Sequence, residues 1–196
     1  MLENDKKMIK SDFLERGYEI ENINDLLKIS SKEKDLIPYL LHLLDYFKDE
    51  KDKEFIVRCL GVKGFKEAIP RLLEEFKDAK ENHYRWAIGN SINIIHSMSI
   101  EKELIELSMN KKYGTGRQML VLSLGYYKTD LSIKCLTNLL KDEEVRGHAI
   151  QALGKCGRID SIADIEAYCN SNNRWIKSEA IKAVKKIERR YSDKKI

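Results

Sequence analysis

One segment dictates most of what this chain can become. It is VRGHAIQALGKCG, Val145 to Gly157, and its pattern returns along the sequence. Aligning Arg146 with Lys53 places Ala149 on Ile56, Leu153 on Leu60, Gly154 on Gly61 and Gly157 on Gly64. The same register recurs at Arg85 with Ile88 and Ile92, at Arg117 with Leu120 and Leu124, and at Lys177 with Ala180 and Val184. These anchors are separated by 32, 32, 29 and 31 residues. A period near 30 residues is the mark of a stacked array, in which each unit buries its apolar face only against its neighbours.

Each period holds two helices. Apolar residues three, four and seven places after the anchor share one helical face. The sixth place is small throughout: Cys59, Ser91, Ser123, Ala152 and Ala183. Small side chains there predict a close approach of neighbouring helices. A short turn follows, with glycine in two units (Gly64, Gly157), and a second apolar column begins nineteen places after the anchor at Leu72, Leu104, Leu136 and Ile165. Three places earlier stand Ile69, Ile133 and Ile162, with Glu101 interrupting. Pro70 falls in a first helical turn, where its missing N–H is not needed. IPYLL at 37–41 repeats IPRLL at 69–73, which predicts a further unit whose first helix, within 20–29, is degenerate. The expected division of the 1–196 solenoid is a degenerate cap over 1–34, repeats over 35–188 and a basic tail over 189–196. Only two prolines and ten glycines interrupt this pattern, which suits helices joined by short turns.

A basic residue, two positions, Ala, three positions and Leu-Gly, preceded by an acidic or Asn turn, resembles the short HEAT-like repeats of phycobilisome lyases. The likeness covers 36–188. RWAIGNSI, KKYGTGRQMLVLSLG and RWIKSEAIKAVKKIE are similar to segments of an uncharacterised group of bacterial HEAT-repeat proteins. The resemblance implies an all-α, right-handed α-α superhelical solenoid of five to six hairpins, with first helices on the convex side and second helices lining the concave side. It implies a binding habit and no reaction.

Sites of chemistry are sparse. The anchor cations could form a phosphate ladder. In HEAT repeats, however, this residue pairs with acids and carbonyls of the adjoining unit, while Asn82, Asp142 or Asn173 caps the helix. KKYGTGR, 111–117, lacks the phosphate-loop pattern and a preceding strand, and reads as a turn between repeats. His42, His83, His96 and His148 show no metal spacing, and no nucleophile motif is present. Cys59, Cys135, Cys156 and Cys169 form no CxxC pair and sit in apolar helical stretches. The expectation is no metal, no cofactor and no enzymatic activity. An alternative is a base-excision glycosylase resembling the HEAT-like DNA-alkylation-repair enzymes, with Trp86 and Trp175 as candidates to hold DNA. Both tryptophans start first helices, where covering a seam between repeats is the simpler role.

The columns eighteen, twenty-one and twenty-five places after the anchor should face the groove. They carry Glu74, Asp78, Glu103, Glu106, Asp142 and Asp164 against Arg71 alone, a net −5. The candidate partner-binding residues are Tyr39, His42, Arg71, Glu74, Glu103, Glu106, Asn138, Asp164 and Tyr168. Such a groove repels nucleic acid and suits a basic peptide or protein partner. The net charge of +4 comes from the end of the chain, where 172–196 holds nine Lys and Arg against three Asp and Glu, or +6, leaving −2 before it. That end could make weak nucleic-acid contacts. No run of signal-peptide or membrane-spanning length appears, so the expected location is the cytoplasm, and the expected function is a protein-binding or assembly scaffold.

Overall fold

The structure is a computed structural model, and it describes residues 1–192. Among these residues there is no strand. The helices are α1 (Glu3–Glu15), α2 (Ile37–Tyr46), α3 (Glu50–Leu60), α4 (Ile69–Asp78), α5 (Asn82–Ile95), α6 (Glu101–Met109), α7 (Gln118–Leu124), α8 (Asp130–Leu139), α9 (Arg146–Cys156), α10 (Ile162–Glu166) and α11 (Arg174–Ser192). Short 3-10 turns fill several connections. The chain divides into two compact units, Met1–His96 and Ser97–Ile196.

In the first unit α3 and α5 pack side by side as one layer, extended by the 3-10 turn Ile23–Lys28 against α3. That turn is the degenerate first helix that the sequence places within 20–29. The layer of second helices, α2 and α4, packs chiefly on the first helix that follows each one, α2 on α3 and α4 on α5. Proline enters α2 and α4 at their opening turns, as Pro38 and Pro70, where an N–H has no intrahelical acceptor. Helix α1 is not foreshadowed by the repeat. It buries Ile9 and Phe13, and the Met1 amino group just before it pairs with Asp52 of α3.

In the second unit the first helices α7, α9 and α11 form one layer, and α6, α8 and α10 pack against the first helix that follows them. The apolar columns are the core: Leu120, Leu124, Leu136, Ala149, Leu153, Ile165 and Ala180 are fully or almost fully excluded from water. The small sixth-position column explains how the first helices come so close. A Cβ on Gly125 would lie 2.8 Å from the Ala152 carbonyl oxygen, and one on Gly154 would lie 2.8 Å from the Ala183 Cβ. Gly61 meets Ser91 in the same way in the first unit, at 2.8 Å from its Oγ. A glycine eight places after one anchor is thus matched to the small residue six places after the next, which removes the side chains that would hold two backbones apart. Gly157 supplies the left-handed residue that ends α9, at φ +73°.

The final helix runs to Ser192, so Arg189 and Arg190, assigned from sequence to a tail, are helical. Lys194 and Lys195 lie outside the described residues.

Candidate protein-binding surface

The anchor column proves to be a capping device. A second helix ends with carbonyls that have no intrahelical partner, and in three units the arginine at the head of the following first helix reaches them. Arg85 donates to the Phe76 carbonyl at 3.3 Å and the Lys80 carbonyl at 3.1 Å at the end of α4, and also to that of Ala79. Arg146 donates to the Leu140 carbonyl at 2.8 Å, just beyond α8. Arg117 is the most enclosed, with 0% of its surface exposed. Its guanidinium donates to the carbonyls of Gly114 (2.8 Å) and Ser108 (3.1 Å), to Asp142 (3.0 Å) and to Glu144 (2.7 Å). Five donors in a planar fork allow one side chain to close a helix end and bind the next unit together. The KKYGTGR segment is accordingly a turn between α6 and α7, with Gly114 breaking the helical backbone.

Lys53 and Lys177 depart from this. Lys53 pairs instead with Glu75 at 2.7 Å, and Lys177 is exposed. Of the helix caps expected from sequence, Asn173 accepts from the N–H groups of Trp175 and Ile176, and Asp142 accepts from that of Glu144. Asn82 caps nothing: α5 starts after Glu81, and the carboxylate of Glu50 receives the N–H groups of Lys80 (2.7 Å) and Glu81 (3.0 Å).

The nine residues expected to line a groove separate into two kinds. In the first unit His42 and Glu74 are exposed on the second-helix layer. Tyr39 is not; it is buried, because α1 lies over it, with Phe13 edge-on at 5.5 Å, Asp12 accepting from its hydroxyl at 2.5 Å and Arg16 stacked at 4.1 Å. Burial and the Asp12 carboxylate push the Tyr39 hydroxyl pKa well above its ordinary value. Arg71 is half-buried and spent on Asp45 at 2.9 Å and Glu75 at 2.8 Å. In the second unit Glu103, Glu106, Asn138 and Asp164 are exposed, and Asp164 accepts from Thr137 at 3.2 Å. Tyr168 is half-buried, and its hydroxyl donates to the Leu140 carbonyl at 2.9 Å. Asp142, counted among the acids of those columns, faces inward, as does Cys135 eighteen places after Arg117, and the exposed Lys102 and Lys134 flank the acids. The surface is therefore more mixed in charge than a count over three columns suggests.

In the eighteenth column Tyr39 looks back to α1, Arg71 to α2 and Asp164 to α8, whereas Glu103 is exposed. Periodicity identified the face but not which edge of it is shared with a neighbour.

A buried acid escaped the sequence reading altogether. Glu75 is 4% exposed and stands twenty-two places after its anchor, where the neighbouring units hold Leu43, Leu107 and Leu139. Lys53, Arg71 and the Tyr84 hydroxyl (3.0 Å) hold its carboxylate. A lone acid within a leucine column was the available signal.

The second unit supplies the deciding comparison, for residues 101–185 match the family model for HEAT repeats. These residues are HEAT repeats. The match concerns HEAT repeats in general and singles out no subtype. No curated protein matches the chain. Within the HEAT array, Trp175 covers a seam between repeats: its ring lies on Gly147 of α9 so closely that no Cβ fits there, and His148 stands 5.5 Å from it. Trp86 is half-buried on α5. Burial pushes the thiols of Cys59 and Cys135 up to about 12, which leaves them protonated and unreactive at neutral pH. Among the described residues no group of three His, Cys, Asp or Glu could hold a metal ion, and no helix is long and apolar enough to cross a membrane.

Proposed function

We propose that this protein is a non-catalytic scaffold of the cytoplasm that binds a protein or basic peptide through the exposed faces of its second helices. The observation that carries this reading is the state of the carboxylates there. Glu74 in the first unit, and Glu103 and Glu106 in the second, are exposed and take no hydrogen bond or ion pair among the described residues, whereas the other polar groups in those columns are largely spent within the fold. Free carboxylates on exposed helix faces favour cationic partners and disfavour nucleic acid. HEAT repeats in general mediate protein interactions, which is compatible with this role.

Affinity capture from nuclease-treated native extract, comparing the wild type with Glu74→Lys, Glu103→Lys and Glu106→Lys combined, tests it. A discrete protein retained by the wild type and lost by the variant is the expected outcome. A captured set that survives the charge reversal unchanged rules the second-helix surface out.

A further inference from the structure

We propose that the cleft between α9 and α11 binds an acidic peptide segment of a partner protein. It belongs to the first-helix layer of the second unit and stands independently of the second-helix reading.

The cleft has a volume of about 420 Å³. Its floor is apolar and shallow because Gly154 and Ala183 bring the two helix backbones together, with Leu122 of α7 alongside. Lys155, Lys182 and Lys186 form its walls. Lys182 is matched by Glu179 at 2.8 Å. The other two are not: among the described residues neither Lys155 nor Lys186 pairs with a carboxylate, and the Lys155 ammonium rests over the Tyr126 ring at 3.7 Å. Burial, together with Arg190, Lys155 and Arg189, lowers the Lys186 pKa, so this ammonium is held among like charges. Arg190 is accounted for, since it donates to the Lys155 carbonyl at the end of α9 at 2.9 Å, but it brings no negative charge to the two lysines. An incoming anion relieves that repulsion.

Two features select a peptide over a nucleic acid. Single-stranded nucleic acid is held by a continuous cationic track with open aromatic faces for base stacking. Here the Tyr126 ring is covered by the Lys155 ammonium, and Glu179 interrupts the cationic wall with a carboxylate, for which a phosphodiester backbone offers no donor. The same wall suits a peptide backbone. Gln151 donates its Nε2 to Glu179 at 2.9 Å, and its carbonyl oxygen and the Glu179 carboxylate together present acceptors for peptide N–H groups. Glutamate or aspartate side chains would then reach Lys155 and Lys186.

The test is fluorescence anisotropy of a labelled peptide of alternating glutamate and glycine, titrated with the full chain at low ionic strength. Saturable binding is expected, weakened about tenfold or more by Lys155→Ala with Lys186→Ala, abolished when glutamine replaces glutamate in the peptide, and reduced by added salt. Both lysines lie outside the core columns, so the variant's thermal melt should match the wild type, and Lys102→Ala with Lys134→Ala should leave the binding unchanged. Absence of saturable binding to the wild type overturns the proposal. So does undiminished binding by the Lys155, Lys186 variant, equal weakening by the Lys102, Lys134 control, or displacement of the peptide by a single-stranded oligonucleotide that binds the same lysines more tightly.

Discussion

The two compact units solve one problem with opposite charges. In the second unit the buried charge is a cation: Arg117, fully enclosed, is met by Asp142 and Glu144 and by two carbonyls. In the first unit it is an anion: Glu75, 4% exposed, is met by Lys53, Arg71 and Tyr84. The choice follows from the anchor. An arginine fork can satisfy carbonyls of one unit and carboxylates of the next at the same time, whereas a lysine presents a compact ammonium and makes a single strong pair. With Lys53 at the anchor, the polar hub moves to the second helix, into a slot that elsewhere holds leucine. What the repeat preserves is a buried charge with its partners between layers, not a particular residue at a particular place.

Breaking the cationic hub should cost the most. Arg117→Ala strands Asp142 and two helix-end carbonyls, and a loss of about 3–5 kcal/mol is expected in urea unfolding; a loss below about 1 kcal/mol would mean that water replaces the guanidinium without penalty. Next come the apolar columns: Leu124→Ala and Leu153→Ala, both at 0% exposure, should each cost about 2–5 kcal/mol. The glycine match is sharper in kind though smaller in size. Gly154→Ala forces a methyl against Ala183 and should cost about 1–3 kcal/mol, and Ala183→Gly in the same chain should recover part of it.

The anionic hub gives the most direct contrast. Its cations are partly exposed, so Glu75→Ala should cost only about 1–3 kcal/mol, and Glu75→Leu, which restores the column seen at Leu107 and Leu139, should cost less than the alanine variant. Equal losses for the two would show that the carboxylate, and not the volume of the slot, holds that position. The smallest effect concerns His148, whose Nδ1 is buried without a partner and whose pKa is lowered by burial. The unfolded chain takes up a proton near pH 6.5 that the folded chain refuses, so stability is complete above that pH and falls as the medium is acidified towards the lower folded value. His148→Gln should flatten that part of the curve, read as a smaller fall in Tm between pH 7 and pH 5 than the wild type shows; an equal fall would mean that another group sets the acid dependence.

The array was legible because its signals are local and repeated. Helical periodicity, the small column at Cys59, Ser91, Ser123, Ala152 and Ala183, and the proline entries each state a constraint within one or two turns, and recurrence separates them from chance. Sequence also assigned the structural role of the anchor cations, which Arg85, Arg117 and Arg146 fulfil on helix-end carbonyls. The binding surface was legible only in part. Tyr39 matches Arg71 in register, yet α1, which belongs to no repeat, buries it.

The chain by itself determined the helices of the repeats, their order and the apolar faces they bury, since these follow from spacing along a single helix. Tertiary structure alone decided which charges are spent and which are free. Glu75 and Glu74 are adjacent in sequence; the leucine column of the other units marks the slot of Glu75 as inward, but not the groups that meet it there. One is buried among Lys53, Arg71 and Tyr84 from three helices, and the other faces solvent without a partner among the described residues. A carboxylate is neutralised by groups distant along the chain, so its availability to a partner is a property of packing, which no period in the sequence records.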